Sequence, residues 1–103
     1  NSAAIVRALK QCGVSWLDLH AVGGGCPDGL AGYQGRSVLL EIKVSDKATH
    51  DASVKERQAA FARDWRGSPV VTVRTEAEAL AAMGIVLGKF SEMALSLGRR
   101  ARR

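Results

Sequence analysis

Two different spacings of hydrophobic residues predict the first elements of the chain. Ile5 and Leu9 follow helical spacing, and Gly13 is a typical helix end, so we expect a helix over residues 3–12. Residues 14–20 then alternate between apolar and polar side chains, which predicts a strand.

The middle of the chain has the pattern of a β-hairpin. Residues 23–28 contain three consecutive glycines and a proline, which break any regular element. Residues 29–33 predict a short strand, residues 34–36 a tight turn and residues 37–43 the clearest strand in the sequence.

Capping-box spacings precede two later helices, because Ser53 is followed by Glu56 and Thr75 by Glu78. A β-branched segment between the two helices predicts a further strand. The predicted elements are a helix from Ser53 to about Arg66, a strand from Pro69 to Arg74 and a helix to about Met83 that ends at Gly84.

The resulting order is α-β-β-β-α-β-α, which predicts an α/β fold with a mixed central sheet flanked by helices. A terminal amphipathic helix over residues 85–98 follows, with a hydrophobic stripe that packs on the domain or forms a dimer interface. Its stripe consists of Val86, Phe90, Met93 and Leu97.

Composition limits the class of protein. The chain has 103 residues, 47% of them hydrophobic and 24% charged, as expected for one globular domain. No apolar segment is long enough to span a membrane, and the first residues do not resemble a signal peptide. Two cysteines and two histidines at unsuitable spacings predict neither a disulfide scaffold nor a zinc site, so a reducing cytoplasm is expected.

The net charge of +5 is concentrated at one end of the chain. Residues 99–103 form a basic tail, and the rest of the sequence is nearly neutral. The tail is either a DNA-backbone contact or a solvated extension. Its four arginines are Arg99, Arg100, Arg102 and Arg103.

Charged residues at the end of an apolar strand are the first candidate chemistry. Glu41 and Lys43 lie on the same side of the strand, and the apolar residues around them predict burial on both faces. A carboxylate in that environment needs a partner or a metal ion. A simple salt bridge at the strand end is the alternative.

Asp28 strengthens the metal hypothesis. It precedes the neighbouring hairpin strand, where we expect it one residue out of opposite register with Glu41. Two adjacent carboxylates repel each other unless a cation lies between them, and oxygen ligands suit Mg²⁺ or Mn²⁺. Gly23, Gly24 and Gly25 would allow close approach of a phosphate, or simply form a flexible connector.

Gln58 adds a polar residue to the helix that follows. It falls within a predicted core-facing stripe formed by Val54, Phe61 and Trp65, so it needs a polar partner. If this helix packs near Glu41, Gln58 reaches the same site. A backbone hydrogen bond at the edge of the stripe is the alternative.

These residues resemble a known family. Pro27-Asp28, followed after thirteen residues by Glu41-Ile42-Lys43, is similar to the signature of the PD-(D/E)XK nuclease superfamily. Gln58 in the next helix resembles the VRR-NUC and Holliday-junction-resolvase-like branch, and the glycine-rich segment is similar to small phage and bacterial members. The resemblance covers about residues 3–83 and implies a restriction-endonuclease-like core over residues 1–84.

The resemblance implies a metal-dependent hydrolase that cleaves DNA in a bacterial or phage-infected cell. Asp28, Glu41 and the carbonyl of Ile42 would hold Mg²⁺ or Mn²⁺. Lys43 would orient water or neutralise the transition state, and Gln58 would support Lys43 or the metal-bound water. Double-stranded or branched DNA, including a Holliday junction, is the expected substrate, and a homodimer would cut two strands symmetrically.

The chain departs from this family in its first helix. Many relatives have a metal-binding Glu there, but residues 1–5 contain none. A nuclease-fold DNA-binding or accessory protein without catalysis is therefore a second hypothesis, and an interaction module that uses the terminal helix is a third. His20, at the end of the first strand, is a further candidate for the site.

Overall fold

The computed structural model describes residues 1–44 and 52–86, which form a mixed α/β fold. Within these ranges there are three helices and four strands, in the order expected from the sequence. The elements are α1 (Ser2–Gln11), β1 (Ser15–Asp18), β2 (Gly29–Tyr33), β3 (Arg36–Ile42), α2 (Ala52–Asp64), β4 (Val71–Val73) and α3 (Glu76–Ala82). The strands β1 and β4 are shorter than their hydrophobic patterns predict, because their flanking residues belong to loops.

The four strands form one mixed sheet in the order β1-β2-β3-β4. Strand β2 is antiparallel to both β1 and β3, whereas β4 lies parallel to β3. The interior strand β3 pairs with β2 along one edge and with β4 along the other. Its hydrophobic sequence reflects burial on both faces, since Val38, Leu39 and Leu40 are all buried. The chain returns from β3 to the parallel β4 through α2, as a parallel connection requires.

A two-residue turn sets the register of the β2–β3 hairpin. Gln34 and Gly35 both have positive φ, at 50° and 78°, as type I′ turns require. Tyr33 pairs with Arg36, so Arg36 begins the strand rather than ending the turn. Continuing this register beyond the last pair places Asp28 directly opposite Glu41, which corrects the expected offset of one residue.

The hydrophobic core lies between the sheet, α1 and α3. Val38 and Leu40 of β3 belong to it, whereas Leu39 between them does not. The helices contribute apolar side chains at helical spacing, and β4 adds a completely buried valine. The largest buried side chains of the core are Ile5, Leu9, Leu40, Val73, Leu80 and Met83.

Helices α1 and α3 end in the same way. Gly13 and Gly84 follow their C-caps with φ of 85° and 84°. After α3, the Gly84 amide donates to Ala81 and the Ile85 amide to Leu80, which is a Schellman arrangement. Ile85 also packs against the core, so the end of α3 is fixed by an apolar contact as well as by hydrogen bonds.

The start of α3 confirms one predicted cap. The Thr75 side chain accepts a hydrogen bond from the Glu78 amide at 3.0 Å. The Glu78 carboxylate accepts from the amide of Arg74 at 2.6 Å, one residue before the cap. Two exposed amides at the helix start are thereby satisfied.

Helix α2 differs from the sequence prediction in two respects. The helix begins at Ala52, so Ser53 lies within its first turn and is not the predicted cap. The predicted core-facing stripe is also wrong, because α2 has no buried residue and Trp65 is 44% exposed. Helix α2 covers the face of the sheet opposite the core, where the contact is incomplete and leaves cavities.

The first two residues of the predicted terminal helix are not helical. Ile85 and Val86 lie outside any helix, and Val86 is exposed. The remainder of that predicted helix and the arginine tail lie outside the described residues. In the described part of the chain, no helix has the length and apolar character needed to cross a membrane.

Candidate functional site

Asp28 is fixed at the open end of the β2–β3 hairpin by two hydrogen bonds. Its Oδ2 accepts from the backbone amide of Ile42 at 2.7 Å, and its carbonyl accepts from the Leu19 amide at 2.9 Å. The Asp28 side chain is therefore bonded to β3, while its backbone is bonded to the residue that follows β1. This geometry brings the Asp28 carboxylate to the end of β3 where Glu41 and Lys43 lie.

Glu41, Gln58 and Lys43 form a connected polar chain. The Gln58 amide Nε2 donates to Glu41 Oε2 at 3.3 Å, and Lys43 Nζ donates to Gln58 Oε1 at 3.4 Å. Gln58 thus uses its donor toward the acid and its acceptor toward the base. The sequence-based expectation that Gln58 reaches the site is confirmed, although α2 is not buried.

The Glu41 carboxyl has the most strongly shifted pKa of this cluster. Burial, followed by repulsion from the Asp28 carboxylate, raises the pKa of Glu41 to about 7. Lys43 partly opposes this shift, and a hydrogen bond with the Asp28 carboxyl adds to it. The Glu41 carboxyl is therefore partly protonated near neutral pH. A cation near the two carboxyls would instead stabilise their charged forms.

An open cavity of about 460 Å³ lies between the sheet and α2. Glu41, Lys43 and Gln58 line it together, so the predicted common face of Glu41 and Lys43 is confirmed. Lys55 and Thr72 also line it, and neither was singled out from the sequence. Lys55 precedes Gln58 by one helical turn, so the sequence alone could have placed the two side chains on the same face of α2. Thr72 was detectable only from the pairing of β4 with Glu41.

The three glycines of the loop before Asp28 have different surroundings. All have positive φ, but a Cβ at Gly23 or Gly24 would meet nothing within 4 Å. A Cβ at Gly25 would clash with the backbone carbonyl of Arg57 in α2. Gly25 therefore allows the loop to pack directly against α2, whereas Gly23 and Gly24 remain exposed.

Cys26 lies in the same loop but has the wrong electrostatic environment for a nucleophile. Burial, Glu41 and Asp28 each raise the pKa of the Cys26 thiol. The neutral thiol is therefore favoured at physiological pH, and thiolate chemistry is disfavoured.

His20 lies near Asp28, in a cavity that Gln58 does not line. Its Nδ1 is 2.6 Å from Asp18 Oδ1, and this contact raises the pKa of His20. His20, Asp18 and Asp28 line a separate cavity of about 220 Å³ together with Ser2 of α1. The sequence-based candidate His20 therefore adjoins Asp28 but does not line the Glu41 cavity.

The described residues provide a small set of oxygen donors for a metal ion. Among them there is no cluster of three or more His, Cys, Asp or Glu side chains suited to a metal. Asp28 and Glu41 nevertheless form a carboxylate pair, and Mg²⁺ is commonly held by one or two carboxylates with water and substrate phosphate. The pair fits that coordination, because its two carboxyls lie close enough for the Asp28 charge to raise the pKa of Glu41.

Comparisons with known proteins gave no match to the chain among family models, curated proteins or solved structures. The site is therefore interpreted from its own geometry.

Proposed function

We propose that the protein is a divalent-metal-dependent nuclease that hydrolyses DNA phosphodiester bonds. The observation that carries this proposal is the Asp28–Glu41 pair joined through Gln58 to Lys43. The α-β-β-β-α-β-α order and the hairpin position of the two acids also support a restriction-endonuclease-like core.

Asp28 and Glu41, with the carbonyl of Ile42, would hold Mg²⁺ or Mn²⁺. Such an ion supplies a Lewis acid for the phosphate and lowers the pKa of water. The Ile42 amide already fixes one Asp28 oxygen, and Gln58 fixes one Glu41 oxygen, so both carboxylates are oriented before any ion binds. Preorganised ligands of this kind reduce the cost of reorganisation during the reaction.

Lys43 provides the positive charge of the site. Its ammonium group lies at the cavity wall, held by Gln58 rather than by a direct pair with Glu41 within hydrogen-bond distance. In this position it stabilises the negative charge that develops on a phosphate in the cavity. Gln58 acts as a positioning residue, because it fixes the separation between the base and the acid.

The decisive experiment is cleavage of linear, flap, single-stranded and four-way-junction DNA with Mn²⁺ or with EDTA. We expect cleavage of at least one substrate with Mn²⁺ and none with EDTA. Asp28→Asn and Lys43→Ala should each reduce the rate by about 100-fold or more. Lys55→Ala is the matched control, because it removes a lysine from the same cavity wall and should cost less than about tenfold.

A metal-dependent activity that persists unchanged in Asp28→Asn and Lys43→Ala would contradict the proposed site. The same assay identifies the cut structure, and products from a four-way junction would favour the branched-DNA assignment. Paired symmetrical cuts, with a dimeric mass in solution, would support a homodimer.

A catalytically inactive DNA-binding or accessory protein is the second candidate function. The residue of the first helix that lines the cavity beside Asp28 is Ser2, which has no carboxylate to bind a metal ion. This observation favours the second candidate. This alternative predicts DNA binding in EDTA and no cleavage with either ion on any substrate. Binding and cleavage assays on the same oligonucleotides therefore distinguish the two functions.

A further inference from the structure

A second cavity lies on the other side of α2 from the Glu41 cavity, the one lined by Glu41, Lys43 and Gln58. It has a volume of about 370 Å³, within the roughly 300–1,000 Å³ typical of small-ligand sites. Its walls include two aromatic rings, one cation, one acid and a glycine of the exposed loop. The lining residues are Gly24, Arg57, Ala60, Phe61, Asp64 and Trp65.

The two aromatic rings form a preassembled stacking surface. The centroids of Phe61 and Trp65 are 5.5 Å apart, and their planes differ by 13°. Trp65 is 44% exposed even though it is the largest side chain of this region. Its ring therefore packs against Phe61 without being part of the core.

This second cavity and the Glu41 cavity border the same contact between the glycine loop and α2, where Gly25 meets the Arg57 backbone. Gly24 and Arg57 line the second cavity, whereas their chain neighbours Gly25 and Gln58 line the Glu41 cavity. The helix rise places Trp65 about 10 Å along α2 from Gln58. That separation is on the order of three nucleotides at about 3.4 Å per stacked base.

The charges of this cavity favour a nucleic-acid strand over an apolar peptide. Arg57 Nη1 contacts the Ser53 hydroxyl at 3.4 Å, so its guanidinium retains further N–H donors for a phosphate. Asp64, the acid of this cavity, is paired with Arg63 at 3.1 Å. A planar base on the aromatic rings and a phosphate beside Arg57 would satisfy both chemical features.

We propose that the Phe61–Trp65 pair stacks an unpaired nucleobase of the DNA strand whose backbone lies in the Glu41 cavity. This inference rests on the proposed function and deepens it by naming the substrate class: DNA with a single-stranded segment next to the scissile position. Bases of an intact duplex are stacked within the helix and do not reach such a surface without flipping.

The inference is tested by binding in EDTA, where no cleavage occurs. The ligands are a blunt duplex, the same duplex with a five-nucleotide overhang, and the overhang with abasic residues in place of its bases. We expect Trp65→Ala to weaken binding of the base-containing overhang by about tenfold, as removal of base-stacking aromatics generally does. Binding of the blunt and abasic ligands should remain unchanged, and Trp65→Phe should retain most of the affinity.

Leu17→Ala is the matched control, because Leu17 is an exposed large apolar residue of β1 that does not line this cavity. In a Trp16→Phe background, the base-containing overhang should quench the fluorescence of Trp65, and the abasic overhang should not. This direct readout does not depend on whether Trp65→Ala folds normally.

Equal binding of base-containing and abasic overhangs without quenching would overturn the inference, as would a lack of DNA binding by the intact chain. Loss of self-association in Trp65→Ala without a change in DNA affinity would assign the surface to a second copy and also overturn it. Base-dependent quenching in EDTA, combined with no cleavage in Mn²⁺, would uphold this inference while rejecting the nuclease proposal.

Discussion

The two faces of the sheet differ in how tightly they are packed. On the α1–α3 face, apolar side chains are nearly or completely buried and form one cluster. On the α2 face, the helix has no buried residue and the space beneath it remains open. We therefore expect the first face to provide most of the stability, whereas the second face is less tightly packed and keeps its polar groups accessible.

The same strand serves both faces. Val38 and Leu40 contribute to the hydrophobic core, while Glu41 and Lys43 line the open cavity at the end of the strand. The end of β3 is held by its pairing with β4 and by the Asp28 side chain on the Ile42 amide, so its backbone is anchored where the charged side chains project. Rigid support of this kind allows functional side chains to be positioned without a tightly packed helix above them.

The largest expected effect on stability comes from the packed face. Leu80→Ala should lower the free energy of unfolding by about 4 kcal/mol, because it leaves a cavity in a completely buried site. Ala62→Gly in α2 is a control on the open face and should cost about 1 kcal/mol, from helix propensity alone. Urea denaturation measures both, and similar losses in the two variants would contradict the proposed division of stability.

A smaller effect is expected where the glycine loop meets α2. Gly25→Ala should cost about 3 kcal/mol, since it combines a positive φ with a clash against the Arg57 carbonyl. Gly23 also has a positive φ, but the added Cβ would lie in open space. Gly23→Ala should therefore lower the free energy of unfolding by only about 1 kcal/mol. The difference between the two variants isolates the loop–helix contact. Equal losses would show that this contact is unimportant for the α2 face.

Glu41 should make stability depend on pH in the absence of metal. Its pKa rises from 4.5 to about 7 on folding, so the folded state binds the proton more tightly. The resulting stabilisation is present below about pH 4.5 and is lost as pH rises through about 7. After allowance for solvent in the open cavity, the loss should be about 2 kcal/mol.

Urea denaturation at pH 5 and pH 8 in EDTA measures this loss, and Glu41→Gln should remove it. Subtraction of the Glu41→Gln values is needed because Asp18 also raises the pKa of exposed His20. Added Mn²⁺ should restore stability at pH 8 in the unmodified protein only. A pH dependence that is the same in both proteins would contradict the electrostatic description of the site.

The smallest effect is expected at the start of α3. Thr75→Ala removes the side-chain acceptor of the Glu78 amide and should cost about 1 kcal/mol. Ser53→Ala, at the predicted cap that the structure places within α2, should cost less than half of this. Thermal or urea denaturation of the two variants compares a true cap with a residue that only has cap-like spacing.

Local sequence signals were sufficient where the structure is decided by neighbouring residues. Gly13 and Gly84 marked helix ends because both adopt positive φ there, and the Thr75–Glu78 spacing identified a helix start. The Ser53–Glu56 spacing failed, because Ser53 lies within the first turn of α2 rather than before it. The expected hydrophobic stripe of α2 failed for a related reason: periodicity shows that residues share a face, but not that another element covers that face.

The sequence by itself determined the order of the described elements, the hairpin and the grouping of Asp28, Glu41, Lys43 and Gln58 as candidates, because strand alternation and helix spacing act over short distances. Only the tertiary structure decided that Asp28 binds the Ile42 amide, that Gln58 joins Glu41 to Lys43, and that Phe61 and Trp65 stack beside a second cavity. Those arrangements depend on how closely α2 approaches the sheet. That distance is set by contacts between residues far apart in sequence, including Gly25 against Arg57, and no local pattern encodes it.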